Sequence, residues 1–280
     1  MIKHRKATIY ISDNKSESFT SLVSFHHTSL KDRISALRVI NELSSKVLER
    51  HLQSLKEDMD QKIAKLPKKA KSEYDSLGME MLASSSQSIG IDDINIEHPK
   101  VAKIIEEKTE MYNHREHIRR SSKEMILVYL IIIFEEFLSN LLSTLLRKRP
   151  EILKSCHKSI TYKEAFQYLD LYELLKVSSK KEAQSIIDLD IDKLGEYLST
   201  KFKFNLNQRT DWNQFKEFFY RRHVIVHNYG YPDSTYVAKT KYKVHEDEWL
   251  EIDNTYLTKA FDIFEKYSDQ ISVFFDKKYS

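Results

Sequence analysis

The chain has 280 residues, 41% of them hydrophobic, which is enough to bury a core in one large domain or two modest ones. Four glycines and four prolines against 31% charged residues are typical of long helices joined by short turns, so we predict an all-α protein. A net charge of +3 and a pI near 8.6 permit contacts with phosphates but lack the basic excess of a protein whose whole surface binds nucleic acid.

The first segment of the chain shows no export signal. Residues 1–15 are basic but contain no apolar stretch of signal-peptide length, and residues 6–11 predict one short strand. A long amphipathic helix is then predicted from Leu30 to Leu66, with Pro67 ending it. Its irregular spacing favours a hairpin packed on the rest of the protein over a dimeric coiled coil, and both remain open.

A Ser-rich segment divides the sequence. Residues 84–99 combine a serine run with Gly90 and Pro99, which is typical of a loop. We therefore predict an N-terminal, mostly helical region of unknown role over residues 1–95 and a helical domain over residues 96–280.

The domain is predicted to begin with two separate helices. The first runs from Val101 to about His114, and a capping box at Ser121-x-x-Glu124 is expected to start a second one from Ser122 to Lys148. The apolar stretch in that second helix, Met125–Phe134, is interrupted by carboxylates well before the roughly 20 residues that a membrane span needs. It is predicted to be a core helix.

Helix-start signals recur through the rest of the chain. Thr161-x-x-Glu164 and Ser179-x-x-Glu182 are capping boxes, and Asp211-x-x-Gln214 opens a helix that Gly230-Tyr231-Pro232 ends. A last helix is predicted from about Tyr256 to Phe275. The single cysteine, Cys156, excludes an internal disulfide framework and fits a reducing cytoplasm, where we expect the protein to reside without membrane contact.

Basic side chains are concentrated at the end of the helix that begins after Asp211. Arg221, Arg222, His223 and His227 lie within two turns and are followed at once by Asn228. The two histidines are four residues apart and share a helical face, while Arg222 lies about 100° from His223 and is expected to share a cleft with both.

This set of side chains suits cleavage of RNA by its own 2′-hydroxyl. A histidine can take the proton of that hydroxyl or deliver one to the leaving oxygen, and an arginine can stabilise the negative charge that builds on the phosphate. No metal or cofactor is needed for this route. Because both a base and an acid are required, two copies facing each other across a dimer interface would supply them.

The segment RRHVIVHN resembles the R-x4-6-H motif of the HEPN superfamily. The segment VYLIIIFEEFLSNLLSTLLRKRPEIL, which starts at Val128, looks like the core helix that precedes the motif in that family. The resemblance extends over residues 100–280. It implies an antiparallel helical bundle of HEPN type, here with an additional N-terminal helical region, that dimerises and acts as a metal-independent endoribonuclease, often as a toxin or anti-phage defence effector.

The resemblance also implies roles for individual residues. Arg222 would bind the scissile phosphate, His227 would be the acid or base, and Glu135 would be the acidic residue of the core helix. Since Glu135 lies on the apolar stripe of its helix, it needs a cation, and Arg222 is the predicted partner. With His223 and Asn228 added, these residues form the predicted catalytic set.

Other residues near the motif are expected to contact RNA. These are Arg221, Tyr229, Lys239 and Lys241, of which the lysines alternate with other residues in a strand-like segment. The same lysines would equally keep an edge strand soluble, and the tyrosine could cover a core instead of stacking on a base.

Three alternatives remain beside the ribonuclease. His223 and His227 have the spacing of two zinc ligands on a helix, without a clear third ligand. A non-catalytic dimerisation module is suggested by the aromatic residues around Phe219. A nucleotide-binding partner of a nucleotidyltransferase is also known in the superfamily, but the sequence has no glycine-rich phosphate loop. The expected partners are RNA, a second copy of the chain and a regulatory or antitoxin protein.

Overall fold

A computed structural model describes residues 18–83, 96–155, 161–168, 170–240, 242, 244–245 and 248–280. These residues are 84% helical and include no strand, which confirms the predicted all-α class. The predicted strand at residues 6–11, Cys156 and residues 84–95 of the loop predicted at 84–99 lie outside the described residues, and Pro99 at the end of that loop begins a helix. The domain boundary between residues 95 and 96 stays a prediction.

Nine α-helices are described, with 3-10 turns at Pro150–Ser155 and Leu206–Gln208. In chain order they are α1 Phe19–Ala64, α2 Lys68–Ala83, α3 Pro99–Lys148, α4 Tyr162–Ala165, α5 Leu171–Ile187, α6 Ile191–Phe202, α7 Trp212–Asn228, α8 Ser234–Thr240 and α9 Asn254–Tyr279.

The long first helix confirms the periodicity over residues 30–66 and extends it. It begins eleven residues earlier than predicted, where the Ser18 hydroxyl accepts a hydrogen bond from the Ser21 amide at 3.1 Å. Its apolar positions Ile40, Leu43 and Val47 are each more than half exposed, so the described chain does not bury this part of the face. The choice between a hairpin and a coiled coil stays open.

The two helices predicted over residues 101–148 are a single helix, α3, and that prediction was wrong. The Ser122 hydroxyl donates to the Arg119 carbonyl at 3.0 Å, and the Glu124 carboxylate accepts from Arg120 Nε at 3.0 Å. The carboxylate of the supposed capping box, Glu124, thus has a partner inside a continuous helix, and the serine next to the supposed cap Ser121 bonds back to the preceding turn, as serine hydroxyls in helices commonly do.

The other helix starts give mixed results. The Thr161 capping box is present, with the Glu164 amide bonded to the Thr161 hydroxyl at 3.2 Å, but it opens only the four-residue α4. Ser179-x-x-Glu182 was a wrong start, because it lies inside α5, whose cap is Asp170, bonded to the Glu173 amide at 2.8 Å. Helices α7 and α9 begin within two residues of their predicted positions.

The chain forms two compact units. Residues 36–127 and 251–257 form the smaller unit, in which Ala70 and Leu77 of α2 pack with Val101 of α3. Its helices α1 and α3 are also joined by an ion pair between Lys62 and Glu107 at 2.9 Å.

The larger unit comprises the described residues within 18–35, 128–250 and 258–280. Its core is aromatic: Phe134 of α3, Phe215 of α7 and Phe264 of α9 lie with their ring centroids 5.1–5.5 Å apart. Among the residues that the structure describes, one helix, α3, is long and apolar enough to cross a membrane, and 56% of its most apolar window is buried inside the protein. The packing of Phe215 against Phe134 and Phe264 fixes the position of α7.

Candidate active site

Aromatic packing decides which face of α7 remains accessible. Phe215 stacks on Tyr267 of α9 with centroids 4.1 Å apart and planes within 3°, and Phe218 and Trp212 are buried. Because these rings face the interior of the larger unit, they offer no surface for assembly. Of the aromatic residues that suggested a dimerisation module, these three belong to the core, whereas Phe219 and Tyr220 are only partly buried, and the module stays a prediction.

Arg222 and Glu135 form the ion pair that the sequence predicts, with Arg222 Nη1 2.8 Å from Glu135 Oε1. The side chains are 34% and 23% exposed, so the pair is partly shielded from water. Burial raises the pKa of the Glu135 carboxyl, and the neighbouring Arg222 offsets only part of this effect. The adjacent Glu136 is 53% exposed and pairs with Arg33, so Glu135 is the carboxylate on the buried side of α3, as predicted.

His223 and His227 are both exposed at the surface of α7, with ring centroids 4.6 Å apart. They line one cleft with Arg222 and Glu135, as the helical spacing predicts, and we call it the Arg222 cleft. Its volume is about 680 Å³. The predicted acid, base and phosphate-binding groups are therefore brought together.

Acidic side chains also line the Arg222 cleft, and the sequence patterns did not predict them. Asp188 and Asp190, at the turn between α5 and α6, line it, and Asp190 also caps α6 by accepting from the Lys193 amide at 3.0 Å. A helix-capping aspartate is recognisable from sequence, but its proximity to Arg222 depends on tertiary packing.

Lys239 is not in a strand, and that prediction was wrong. It lies in α8, where its Nζ is 3.2 Å from a carboxylate oxygen of Asp192. The same carboxylate accepts a hydrogen bond from Tyr220 at 2.7 Å and pairs with Lys216 at 2.8 Å, so one aspartate connects α6, α7 and α8. Lys239 still lines the Arg222 cleft, whereas Lys241 lies outside the described residues.

Arg221 does not face the cleft, which corrects the expectation that it binds RNA. It is buried with Glu217 and Tyr236, and its Nε lies 2.6 Å from Glu217 Oε1. The Tyr236 hydroxyl donates to the same oxygen at 2.6 Å and accepts from Arg221 at 3.2 Å. A buried guanidinium already committed to these partners cannot reach a phosphate. The four-residue spacing of Glu217 and Arg221 was the available sequence signal.

The end of α7 places two predicted site residues, Asn228 and Tyr229, outside the set of residues that line the Arg222 cleft. Tyr229 has a left-handed backbone with φ of 53° and is 84% exposed, so it does not cover a core. Asn228 donates to Asp233 at 3.2 Å, which links the end of α7 to the residue before α8. Val226, an apolar residue near the end of α7, is 55% exposed and lines the cleft.

No group of three potential ligands is placed to hold a metal within the residues that the structure describes. His223 and His227 thus remain a pair without a described third ligand for the zinc alternative.

No protein-family model, curated protein or solved structure matches the chain at a significant level. Its functional interpretation therefore depends on its own residues and contacts.

Proposed function

We propose that the protein is a metal-independent endoribonuclease whose catalytic groups are Arg222, His223 and His227. The observation that carries the proposal is their arrangement: two exposed imidazoles lie beside an arginine that a partly buried carboxylate holds in the same cleft. A phosphate-binding cation next to imidazoles that can accept and donate a proton is the minimal equipment for 2′-hydroxyl attack.

In the proposed reaction, an imidazole of His227 takes the proton of the ribose 2′-hydroxyl. The 2′-oxygen forms a bond to phosphorus and the bond from phosphorus to the 5′-oxygen breaks. A second group, acting as an acid, gives the 5′-oxygen a proton. The products are a 2′,3′-cyclic phosphate and a 5′-hydroxyl. Arg222 stabilises the charge on the phosphate, and Glu135 is a positioning residue that orients the guanidinium.

Glu135 leaves Arg222 capable of binding a phosphate. The ion pair uses one of the five N–H donors of the guanidinium, and the arginine side chain is one-third exposed. A phosphate can therefore bind the open edge of the guanidinium while the carboxylate holds its other edge.

The two histidines of one chain are poorly arranged to be acid and base for the same phosphate. In an in-line displacement the attacking and leaving oxygens lie on opposite sides of phosphorus, whereas these rings are only 4.6 Å apart on one helix face. We therefore include a second copy of the chain in the proposal, with its motif supplying the second proton-transfer group. A role as a cytoplasmic toxin or anti-phage effector, controlled by a regulatory or antitoxin protein, is supported by the family resemblance alone.

The proposal is tested by incubating total RNA and labelled transfer RNA with the protein in excess EDTA. Wild type should produce 2′,3′-cyclic phosphate ends, and His227→Ala should abolish cleavage without unfolding the protein. His245→Ala is the matched control, because His245 is exposed but does not line the Arg222 cleft. Cleavage retained by His227→Ala would eliminate the mechanism.

The dimer is tested by dilution in the same assay. If the active site needs two chains, the rate per chain should fall as the protein is diluted below the dimer dissociation constant. A rate per chain that stays constant while sedimentation shows dissociation to monomers would remove the second copy from the proposal.

A further inference from the structure

We propose that a second surface of the larger unit binds single-stranded RNA. It is a groove of about 850 Å³ between the segment that follows α6 and the C-terminal half of α9, and we call it the α6–α9 groove. The residues that define it here are Lys203, Phe204, Arg209, Phe274, Lys277 and Lys278.

The α6–α9 groove carries positive charge without compensating carboxylates. Lys203, Arg209, Lys277 and Lys278 line it, and no acidic side chain does. The first three are exposed and form no ion pair with any residue that the structure describes. The Arg222 cleft differs, because carboxylates lie there beside Arg222 and Lys239. A groove of uncompensated cations favours a polyanion.

An aromatic wall lies between these cations. Phe274 is half-buried, with its ring centroid 4.6 Å from that of the buried Phe204, and Lys278 lies over it with Nζ 5.3 Å from the ring centroid. The neighbouring Val273 is exposed and lines the same groove. Cations that follow a backbone, interleaved with a ring on which a base can stack, are the features of single-strand binding surfaces.

The aromatic ring decides between two kinds of polyanion that could occupy this groove. It favours RNA over an acidic peptide, because a base offers a face that can stack on the ring and an acidic side chain does not.

The two surfaces lie at opposite ends of α6. The Arg222 cleft includes Asp190 and Ile191 at the start of this helix, and the α6–α9 groove includes Lys203 just after its end. Twelve helical residues span about 18 Å. Under the proposed ribonuclease function, on which this step rests, the groove would hold one part of an RNA strand while another part is cleaved.

The experiment measures binding separately from cleavage. In a His227→Ala background, a fluorescent twelve-nucleotide oligouridine is titrated at several salt concentrations with or without the changes Lys203→Ala, Arg209→Ala and Lys277→Ala. Losing three phosphate contacts should weaken binding roughly tenfold or more, and should make the slope of log affinity against log salt shallower by about two. The control removes three exposed lysines of the smaller unit, Lys56, Lys65 and Lys69.

The slope and a second variant decide the result. Phe274→Leu, which keeps an apolar side chain against Phe204, should weaken RNA binding several-fold but leave inorganic polyphosphate binding unchanged. The proposal would be overturned if the triple variant and its lysine control showed the same slope of log affinity against log salt. It would also be overturned if polyphosphate and an acidic peptide displaced the bound oligouridine as well as RNA of equal charge does. Loss of cleavage in His227→Ala is scored independently, so failure of the groove and failure of the ribonuclease mechanism are distinguishable.

Discussion

Glu217 offers the sharpest test of the packing beneath the Arg222 cleft. Its carboxylate holds Arg221 and the Tyr236 hydroxyl, each at 2.6 Å, and the three side chains are at most 6% exposed. Glu217→Ala would leave Arg221 charged and buried without its carboxylate. Breaking one side of such a pair costs about 3–5 kcal/mol of unfolding free energy, whereas Tyr236→Phe, which loses two hydrogen bonds to charged groups, should cost about 2 kcal/mol.

The matched control for Glu217 is another Arg–Glu pair of the same unit. Arg33 and Glu136 are also 2.6 Å apart, but their side chains are 33% and 53% exposed. Glu136→Ala should therefore cost below about 1 kcal/mol, because water solvates the arginine that is left. Because the two Arg–Glu pairs have the same 2.6 Å distance but differ in burial, comparing them separates the effect of desolvation on stability from the effect of pair geometry.

The assay is urea unfolding followed by tryptophan fluorescence. Both tryptophans, Trp212 and Trp249, lie in the larger unit with Glu217 and Glu136, so their signal reports on the unit that carries the changes. The double variant Glu217→Met with Arg221→Met should be more stable than Glu217→Ala, because no unpaired charge stays buried. Equal losses for Glu217→Ala and Glu136→Ala would refute the reasoning.

Two further predictions concern Glu135 and Gly195. Burial raises the pKa of Glu135 above its ordinary 4.5, so ionisation of this carboxyl destabilises the folded state. The stability that the protonated carboxyl contributes is fully present below pH 4.5 and is lost as the pH rises through the pKa of the folded state. Urea unfolding at pH 4.5 and 7.5 should show wild type losing stability relative to Glu135→Gln at the higher pH, and the opposite trend would contradict this assignment. A Cβ on Gly195 would lie 3.0 Å from two ring atoms of Trp212. Gly195→Ala should therefore destabilise the larger unit by about 1 kcal/mol, although alanine has the better helix propensity. The variant should also shift the fluorescence emission of Trp212. An unchanged emission spectrum together with a raised stability would show that the Trp212 ring moves aside freely.

Local sequence patterns were sufficient for the helical class and several helix ends. The apolar period of residues 30–66 and Pro67 predict where the first helix runs and stops, because proline cannot continue a helix and a 3.6-residue period places apolar side chains on one face. The same signals misplaced helix starts at Ser122 and Ser179, since a capping box is a local pattern that a continuous helix also accommodates.

The central contact of the candidate site was also predictable. Glu135 on an apolar stripe required a cation, and the ion pair with Arg222 supplies it across 87 residues of sequence. His223 and His227 had to share a face with each other because they are one helical turn apart.

Only the tertiary structure decided the remaining parts of the site. Arg221 and Arg222 are adjacent in sequence, yet successive side chains on a helix point about 100° apart, so packing of α7 buries the first and leaves the second in the cleft. The acidic side chains of Asp188 and Asp190 and the cations of the α6–α9 groove come from segments far apart in the chain. Their proximity depends on how the helices pack, which helical periodicity does not encode.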